Sequence, residues 1–525
     1  MEHAEGYERR WWILGVLCLS LLVIGLDNTI LNVALPTLVR DLGASTSQLQ
    51  WIVDAYTLIF AGLLLTAGSL SDRFGRRTAL ATGLVIFGAG SLASAFAGSA
   101  STLILTRALM GIGGAFIMPS TLSILTNVFP AEERGRAIGI WAGVSGLGIG
   151  IGPVVGGWLL THFWWGSVFL VNVPVVIFAL IAGRLIVPNS KDPSAPRLDP
   201  VGAVLSIVGL ISLVYGIIEA PSHGWTDPLI LTAFGMAAVV LTSFITWELR
   251  SDHPMLNLEF FKNPRFTAAN ISVTLVFFAL FGSLFFLTQY LQFVLGYSAL
   301  QAGYRVAPIA VVLIVVSPIT GRLVNQLGNK VLVALGMGTV AAGLWYLSTL
   351  TIASGYGHVL ISIMVLGTGM ALAMTPATES IMGSLPLAKA GVGSAMNDTT
   401  RQIGGALGVA ILGSVFASAY TATLGPWLTG LPASAATAAQ SSVGAAIAVG
   451  NQVGGVAGIA LVTAAKSSFI QAMDRGLAVG TAVTLVGAIV SLIWLPKRAV
   501  DVEAMELHIE RPEGVSVLVA EGVDV

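Results

Sequence analysis

The sequence predicts an all-α integral membrane protein with 14 transmembrane helices: two pseudo-symmetric six-helix bundles plus an inserted two-helix hairpin. Three observations predict it. The 525 residues are 55% hydrophobic and only 10% charged, with a mean hydropathy of +0.87, a balance that soluble domains do not show. The apolar residues fall in runs of roughly 20, the length that crosses a bilayer core of about 30 Å. The basic residues fall almost entirely on one side of those runs.

The runs are 12–35, 49–70, 78–98, 102–127, 137–160, 166–187, 200–220, 228–249, 267–291, 303–325, 331–351, 357–379, 393–416 and 475–496. Arg9 and Arg10 before the first run mimic a signal peptide. No small-residue cleavage site follows and further runs do, so the first run is read as an uncleaved span. With the N-terminus inside, nineteen basic residues fall in the cytoplasm or at inner span ends: Arg9, Arg10, Arg73, Arg76, Arg77, Arg134, Arg136, Arg184, Lys191, Arg197, Arg250, Lys262, Arg265, Arg322, Lys330, Lys389, Lys497, Arg498 and Arg511. Only Arg40, Lys466 and Arg475 fall outside, while Arg107, Arg305 and Arg401 lie within spans. This is a positive-inside pattern. It holds only if the number of spans before each loop has the right parity, so it also supports the count and places both termini in the cytoplasm.

Four regions follow: residues 1–190, an N-terminal six-helix bundle; 191–265, the hairpin with cytoplasmic linkers; 266–496, a C-terminal six-helix bundle; and 497–525, a cytoplasmic tail. The second bundle carries a long external loop, 417–474. Residues 434–465 are rich in Ala, Gly, Val and Ser and are interrupted by Asn451 and Gln452. A span there would put Lys497 and Arg498 outside, so weak helices or a hairpin on the outer surface are expected instead. The single Cys18 rules out an internal disulfide. No Cys/His cluster has metal-ligand spacing and no phosphate-binding loop is present, so neither a metal, a cofactor nor direct use of ATP is expected. The net charge of −1 gives no reason to expect a nucleic-acid partner. The lack of a catalytic cluster argues against a membrane-embedded enzyme.

Between the second and third runs lies GSLSDRFGRRTAL, residues 68–80. Gly68 allows two helices to approach closely and Gly75 allows a tight turn. Asp72, Arg73, Arg76 and Arg77 can pair with one another or with helix ends. The plain alternative is an ordinary basic inner loop. A degraded copy, GRLVNQLGNKVLVAL at 321–335, follows the tenth run without the aspartate and most of the arginines. This suggests that the two bundles arose by duplication.

Within the runs, polar residues are costly and therefore informative. Arg107, in RALMGIGG, should face a cavity or a partner, unless it snorkels to the outer surface. Asp27, in LDNTILNVALP, lies well inside the first run, where burial makes a change of protonation usable. The plain alternative is a structural acid bonded to Asn28, Thr29 or a neighbouring helix. Asp54, in WIVDAYTL, lies about a turn inside the outer end of its run. In the fifth run Gly148, Gly152 and Gly156 recur every fourth residue and leave one helix face bare, and Pro153 favours a kink. Asp398 and Arg401, in NDTTRQIGGALG, are three apart and can pair, with Asn397 and Gln402 extending the patch. Phe277, Phe278, Phe281, Phe285, Phe286, Tyr290 and Phe293 crowd the ninth run and the loop after it; some could line a hydrophobic site. Glu219, Arg305 and Glu379 sit near span ends and carry little weight.

Together these motifs resemble the major facilitator superfamily, specifically its fourteen-span drug:proton antiporter branch. Residues 68–80 resemble its signature loop. Arg107 sits in a match to its span 4 motif, whose arginine is implicated in proton coupling. Gly152, Pro153, Gly156 and Gly157 spell the ending of its antiporter motif, found in exporters. The segment around Asp27 resembles its span 1 motif. Asp54 departs from the usual neutral residue and resembles members that export cationic drugs. The resemblance implies proton-driven efflux of amphipathic, cationic small-molecule drugs across the bacterial inner membrane, by a monomer without cofactors that cycles by alternating access. It implies proton coupling at Asp27, Arg107 and Asp398, and substrate binding at Asp54 and Asp27. It implies an antiporter helix at Gly148, Gly152, Pro153, Gly156 and Gly157, and a latch at Gly68, Asp72, Arg73, Gly75, Arg76 and Arg77 that holds the outward-facing state. The alternative within transporters is a dedicated exporter of one native metabolite, antibiotic or lipid.

Overall fold

The computed structural model describes residues 7–191, 199–254, 256, 258–384 and 390–496. The tail expected at 497–525 lies outside the described residues. The described chain is helical throughout: α1 Arg10–Leu42, α2 Thr46–Phe74, α3 Arg76–Ala95, α4 Ala100–Val128, α5 Ala131–His162, α6 Ser167–Leu170, α7 Asn172–Ile186, α8 Pro200–His223, α9 Pro228–Arg250, α10 Pro264–Gln289, α11 Ala299–Val306, α12 Pro308–Ser348, α13 Tyr356–Met382, α14 Ala390–Leu424, α15 Ala433–Ser441, α16 Val443–Val453 and α17 Gly455–Trp494. Among the described residues, twelve helices are long and apolar enough to cross a membrane, or thirteen if α2, bent by 53°, is one span. The chain is thus a multi-pass membrane protein.

Helix ends follow local chemistry. Ser45 caps α2 in a reciprocal box with Gln48, and Ser298 does the same for α11 with Gln301. Asp199, Asp227 and Asn263 cap α8, α9 and α10, each followed at once by proline. Pro174 lacks an N–H for the Leu170 carbonyl, which accounts for the break between α6 and α7.

The stretch 68–80 is less of a loop than its charge implies. α2 runs through Phe74 and α3 begins at Arg76, leaving Gly75 alone at the break, with φ 116° and ψ 125°. That left-handed backbone favours glycine. The second copy has the same construction: α12 is two helices broken at Gly328, with φ 77° and ψ 161°. The match extends further along the helix. A β-carbon on Gly83 would lie 2.8 Å from the Gly113 carbonyl, and one on Gly336 would lie 2.7 Å from the Gly369 carbonyl. Eight residues beyond each turn glycine, a second glycine therefore lets two helices meet backbone to backbone.

Residues 417–474, expected as an external loop with weak helices or a hairpin, are largely helical: α14 continues to Leu424, two short helices α15 and α16 follow, and α17 begins at Gly455. No proline interrupts residues 455–474, and the helix propagates through them into the last span. At 40 residues, α17 is about 60 Å long, roughly twice the bilayer core. α16 folds back on it where Gly450 meets Gly458.

Two halves, α1–α7 and α10–α17, meet along a central seam. The described contacts across the seam lie at the end of the bundle that carries Thr46. Gln50 Nε2 donates to the Val409 and Ala410 carbonyls at 3.1 Å each. Gln292 Nε2 donates to the Val33 carbonyl at 2.9 Å, and Thr46 Oγ1 donates to the Ser441 carbonyl at 2.9 Å. The α8–α9 hairpin lies against this seam. Val214 and Ile218 of α8 pack with Leu58 of α2 and with Ala406 and Ala410 of α14, and Trp51 Nε1 donates to Glu219 at 3.0 Å.

Candidate functional site

Asp27 and Arg107 form an ion pair between α1 and α4, and each is only about 1% exposed along its side chain. Arg107 does not snorkel. Its Nε donates to the Ile52 carbonyl at 3.1 Å and its guanidinium lies 4.4 Å from the Tyr56 ring centroid. The other carboxylate oxygen of Asp27 accepts from Asn172 Nδ2 at 3.4 Å. Asn172 also donates to Ser91 Oγ at 3.0 Å, and Ser91 donates to the Phe169 carbonyl at 2.8 Å. Removing one partner of such a dry pair costs about 3–5 kcal/mol. Tyr56, Ser91 and Asn172 carry no charge, and so no insertion cost had marked them in the sequence.

The central cavity is a different place. It has a volume of about 90 Å³ between α1, α4, α10 and α14, and Asn28, Thr29, Phe281, Asp398, Arg401 and Gln402 are among the residues that line it. Asp398 Oδ1 pairs with Arg401 Nη1 at 3.5 Å. The Arg401 guanidinium lies 5.5 Å from the Phe277 ring, which stacks on Phe281 at 6.1 Å. Of the aromatic crowd on α10, only Phe277 and Phe281 reach the cavity. Phe286 packs on Phe416 inside the second half, and Tyr290 bonds the Thr351 carbonyl.

Asp27 and Asp54, expected at the substrate, are not among the residues lining this cavity. Asp54 is wholly buried, and neither of its oxygens has a hydrogen-bond partner among the described residues. It lies one turn beyond Gln50 on α2, on the face turned toward α14.

The glycines of α5 serve two contacts. Gly148, Gly152 and Gly156 lie against α1 at Gly25, Thr29 and Ile30, and Thr29 Oγ1 donates to the Gly148 carbonyl at 3.0 Å. Gly157 faces the other half, where a β-carbon would come within 2.6 Å of the Ala299 carbonyl and the Leu300 Cα. Gly303 of α11 meets the Pro153 carbonyl. At the opposite end of the bundle, Asp72 pairs with Arg76 at 2.7 Å. Arg77 donates to the Val187 carbonyl at 3.2 Å, the Arg76 amide to the Ser190 carbonyl at 3.0 Å, and Gly68 lies against Pro119. All of these contacts stay within the first half and its exit segment.

An ion pair sealed inside one half, a cavity between the halves and a seam closed at one end are the parts of a two-bundle transporter. Residues 17–409 match the family described as the Major Facilitator Superfamily. The chain belongs to the Major Facilitator Superfamily. Among its relatives within the superfamily, the tetracenomycin C resistance and export protein of Streptomyces glaucescens is 35% identical over 93% of this chain and 92% of its own length. The multidrug efflux pump LfrA of Mycolicibacterium smegmatis is 37% identical, over 90% and 92% respectively. The methyl viologen resistance protein SmvA of Salmonella typhimurium is 34% identical, over 88% and 93%. Among solved structures, a bacterial homologue of the human lysosomal transporter Spinster superimposes with a TM-score of 0.65 at 17% identity, covering 93% of this chain and 97% of that one.

Proposed function

We propose that this chain is a drug-efflux transporter that exports amphipathic, cationic drugs from the cytoplasm in exchange for protons. The relatives named for multidrug efflux, methyl viologen resistance and tetracenomycin export support efflux of small molecules. The observation that carries proton exchange is the sealed pair of Asp27 and Arg107 beside a cavity that neither of them lines. A carboxylate held by an arginine in a dry site can take up a proton only when the arginine is released. Each inward proton also brings about 2.3 kcal/mol per 100 mV of membrane potential.

In this reading the membrane is the bacterial inner membrane, and the Gly75 end of the bundle with both termini lies in the cytoplasm. The fourteen spans are the twelve long apolar helices together with bent α2 and α5. The first seven helices and the last eight form two rocking units, and α8–α9 is an added hairpin. The seam ties at the Thr46 end then close the outer gate, so the described state faces inward. Asp72 and the arginines, which bond only within their own half here, engage across the inner gate in the outward-facing state. Asp398 and Arg401 meet the drug, Phe277 and Phe281 give it an apolar wall, and the unit works as a monomer without cofactors.

The test is transport by the full chain in proteoliposomes with an imposed pH gradient. Dye movement that needs the gradient, and that is lost in Asp27→Asn, supports the reading. Equal movement without the gradient overturns proton exchange. A relative named for a single antibiotic favours a second reading, export of one native compound. Loss of resistance to one compound only in a deletion strain would select it.

A further inference from the structure

We infer that Asn172 is a positioning residue that serves both charge states of Asp27 and so sets the pH at which the transporter exchanges its proton. This rests on the proton-exchange reading above. Asn172 is 1% exposed and opens α7 just after the break that Pro174 imposes. Its Nδ2 donates to Asp27, while its Oδ1 is buried with no partner. A buried amide oxygen left unpaired is costly, which asks for a donor in some other state. The new donor available here is the O–H that Asp27 gains when a proton from water binds it. An amide can present either end. Turned about its Cβ–Cγ bond, Asn172 offers Oδ1 to the carboxylic acid in place of Nδ2 to the carboxylate. Ser91 Oγ touches both the amide and the Phe169 carbonyl. As a hydroxyl it can accept from the amide in one orientation and donate to it in the other.

Arg107 is different in kind, because a guanidinium donates only and favours the ionised acid alone. The titratable groups facing Asp27 are Arg107 from α4 and Tyr56 from α2. α3 and α7 present the uncharged Ser91 and Asn172, and α10 presents Leu280 and Phe281 to the cavity beside this stretch of α1. Asp54 bonds to neither member of the pair. Among the described residues, Asn172 is therefore the one side chain bonded to Asp27 that can follow it through protonation.

The experiment measures gradient-driven ethidium transport by the full chain in proteoliposomes as a function of pH, together with ethidium binding at fixed pH. Asn172→Leu keeps the side-chain size and removes both ends of the amide. The bond to the carboxylate is charge-assisted and stronger than the bond to the neutral acid, so the expected result is a rise of the half-maximal pH by about one unit, with ethidium binding unchanged. Ser91→Ala, which frees the amide without removing it, should displace the profile in the same direction by less, and it carries the test if the leucine variant does not fold. Profiles coincident with wild type overturn the role of Asn172 while leaving proton exchange intact. Gradient-independent transport by the wild type would instead remove the reading on which the role rests.

Discussion

Gln50 on α2 reaches across the seam to Val409 on α14, its Nε2 lying 3.1 Å from that carbonyl and equally far from the carbonyl of Ala410. A buried side-chain amide thus joins the two halves at the Thr46 end. Each bond contributes about 1 kcal/mol net. Gln50→Leu should therefore move the equilibrium between the two gate states by about 2 kcal/mol, roughly thirtyfold, toward opening at this end. A single reporter makes the measurement. Cys18 is the only native cysteine, so Thr288→Cys in a Cys18→Ala background reads access beside the cavity. Faster labelling by an impermeant reagent from the outside is expected, and an unchanged rate would refute it.

Gly157 sets a harder limit. A valine there meets backbone atoms of Ala299 and Leu300 rather than a mobile side chain, and backbone at such a crossing does not yield cheaply. Gly157→Val should fold, bind drug and lose at least tenfold in transport rate, because the two halves can no longer close at the Thr46 end. Gly148→Val presses on Gly25 within the same half, so it should lower thermal stability instead. Measuring both variants in detergent and in liposomes separates a gate defect from a folding defect.

The Asp27–Arg107 pair gives an asymmetric prediction. Asp27→Asn leaves a buried, unpaired guanidinium and should destabilise the protein by about 3–5 kcal/mol. Adding Arg107→Leu removes that stranded charge, so the double variant should recover most of the lost melting temperature. Neither variant should couple dye movement to a pH gradient. A double variant no more stable than Asp27→Asn would show that the pair contributes little to the fold.

Asp72 and Arg76 form only a local, part-exposed pair in this state, so Asp72→Asn should change stability little. If the residues engage across the inner gate in the opposite state, turnover should fall several-fold while dye affinity stays within about twofold. Weakened binding with normal turnover would place these residues at the drug and not at the gate.

The sequence made the all-helical membrane fold and the Asp398–Arg401 pair readable because insertion energetics leaves a trace: a charge inside an apolar run is expensive, and its presence needs a reason. It also marked Arg107 and Asp27, but not as partners. They are 80 positions apart, and nothing in either run points to the other. Asn172, Tyr56 and Gln50 were invisible because neutral polar side chains are cheap enough in a helix to pass unnoticed. The first half of α17, residues 455–474, was read as part of an external loop with weak helices because glycine- and alanine-rich helix resembles linker in composition, and only packing against α16 and the second half separates them. The repeat was seen at 321–335, but its continuation through Gly336 was not, since single glycines in a chain with 61 of them carry little signal.

Neighbouring positions on α1 face opposite ways: Asn28 toward the cavity, Asp27 into the first half. Under the proposed function, fuel and cargo are thereby handled on two sides of one helix. A substitution on the cargo side can widen or narrow what is carried without touching the fuel, so a lineage under changing chemical attack could swap its cargo again and again and keep the same engine.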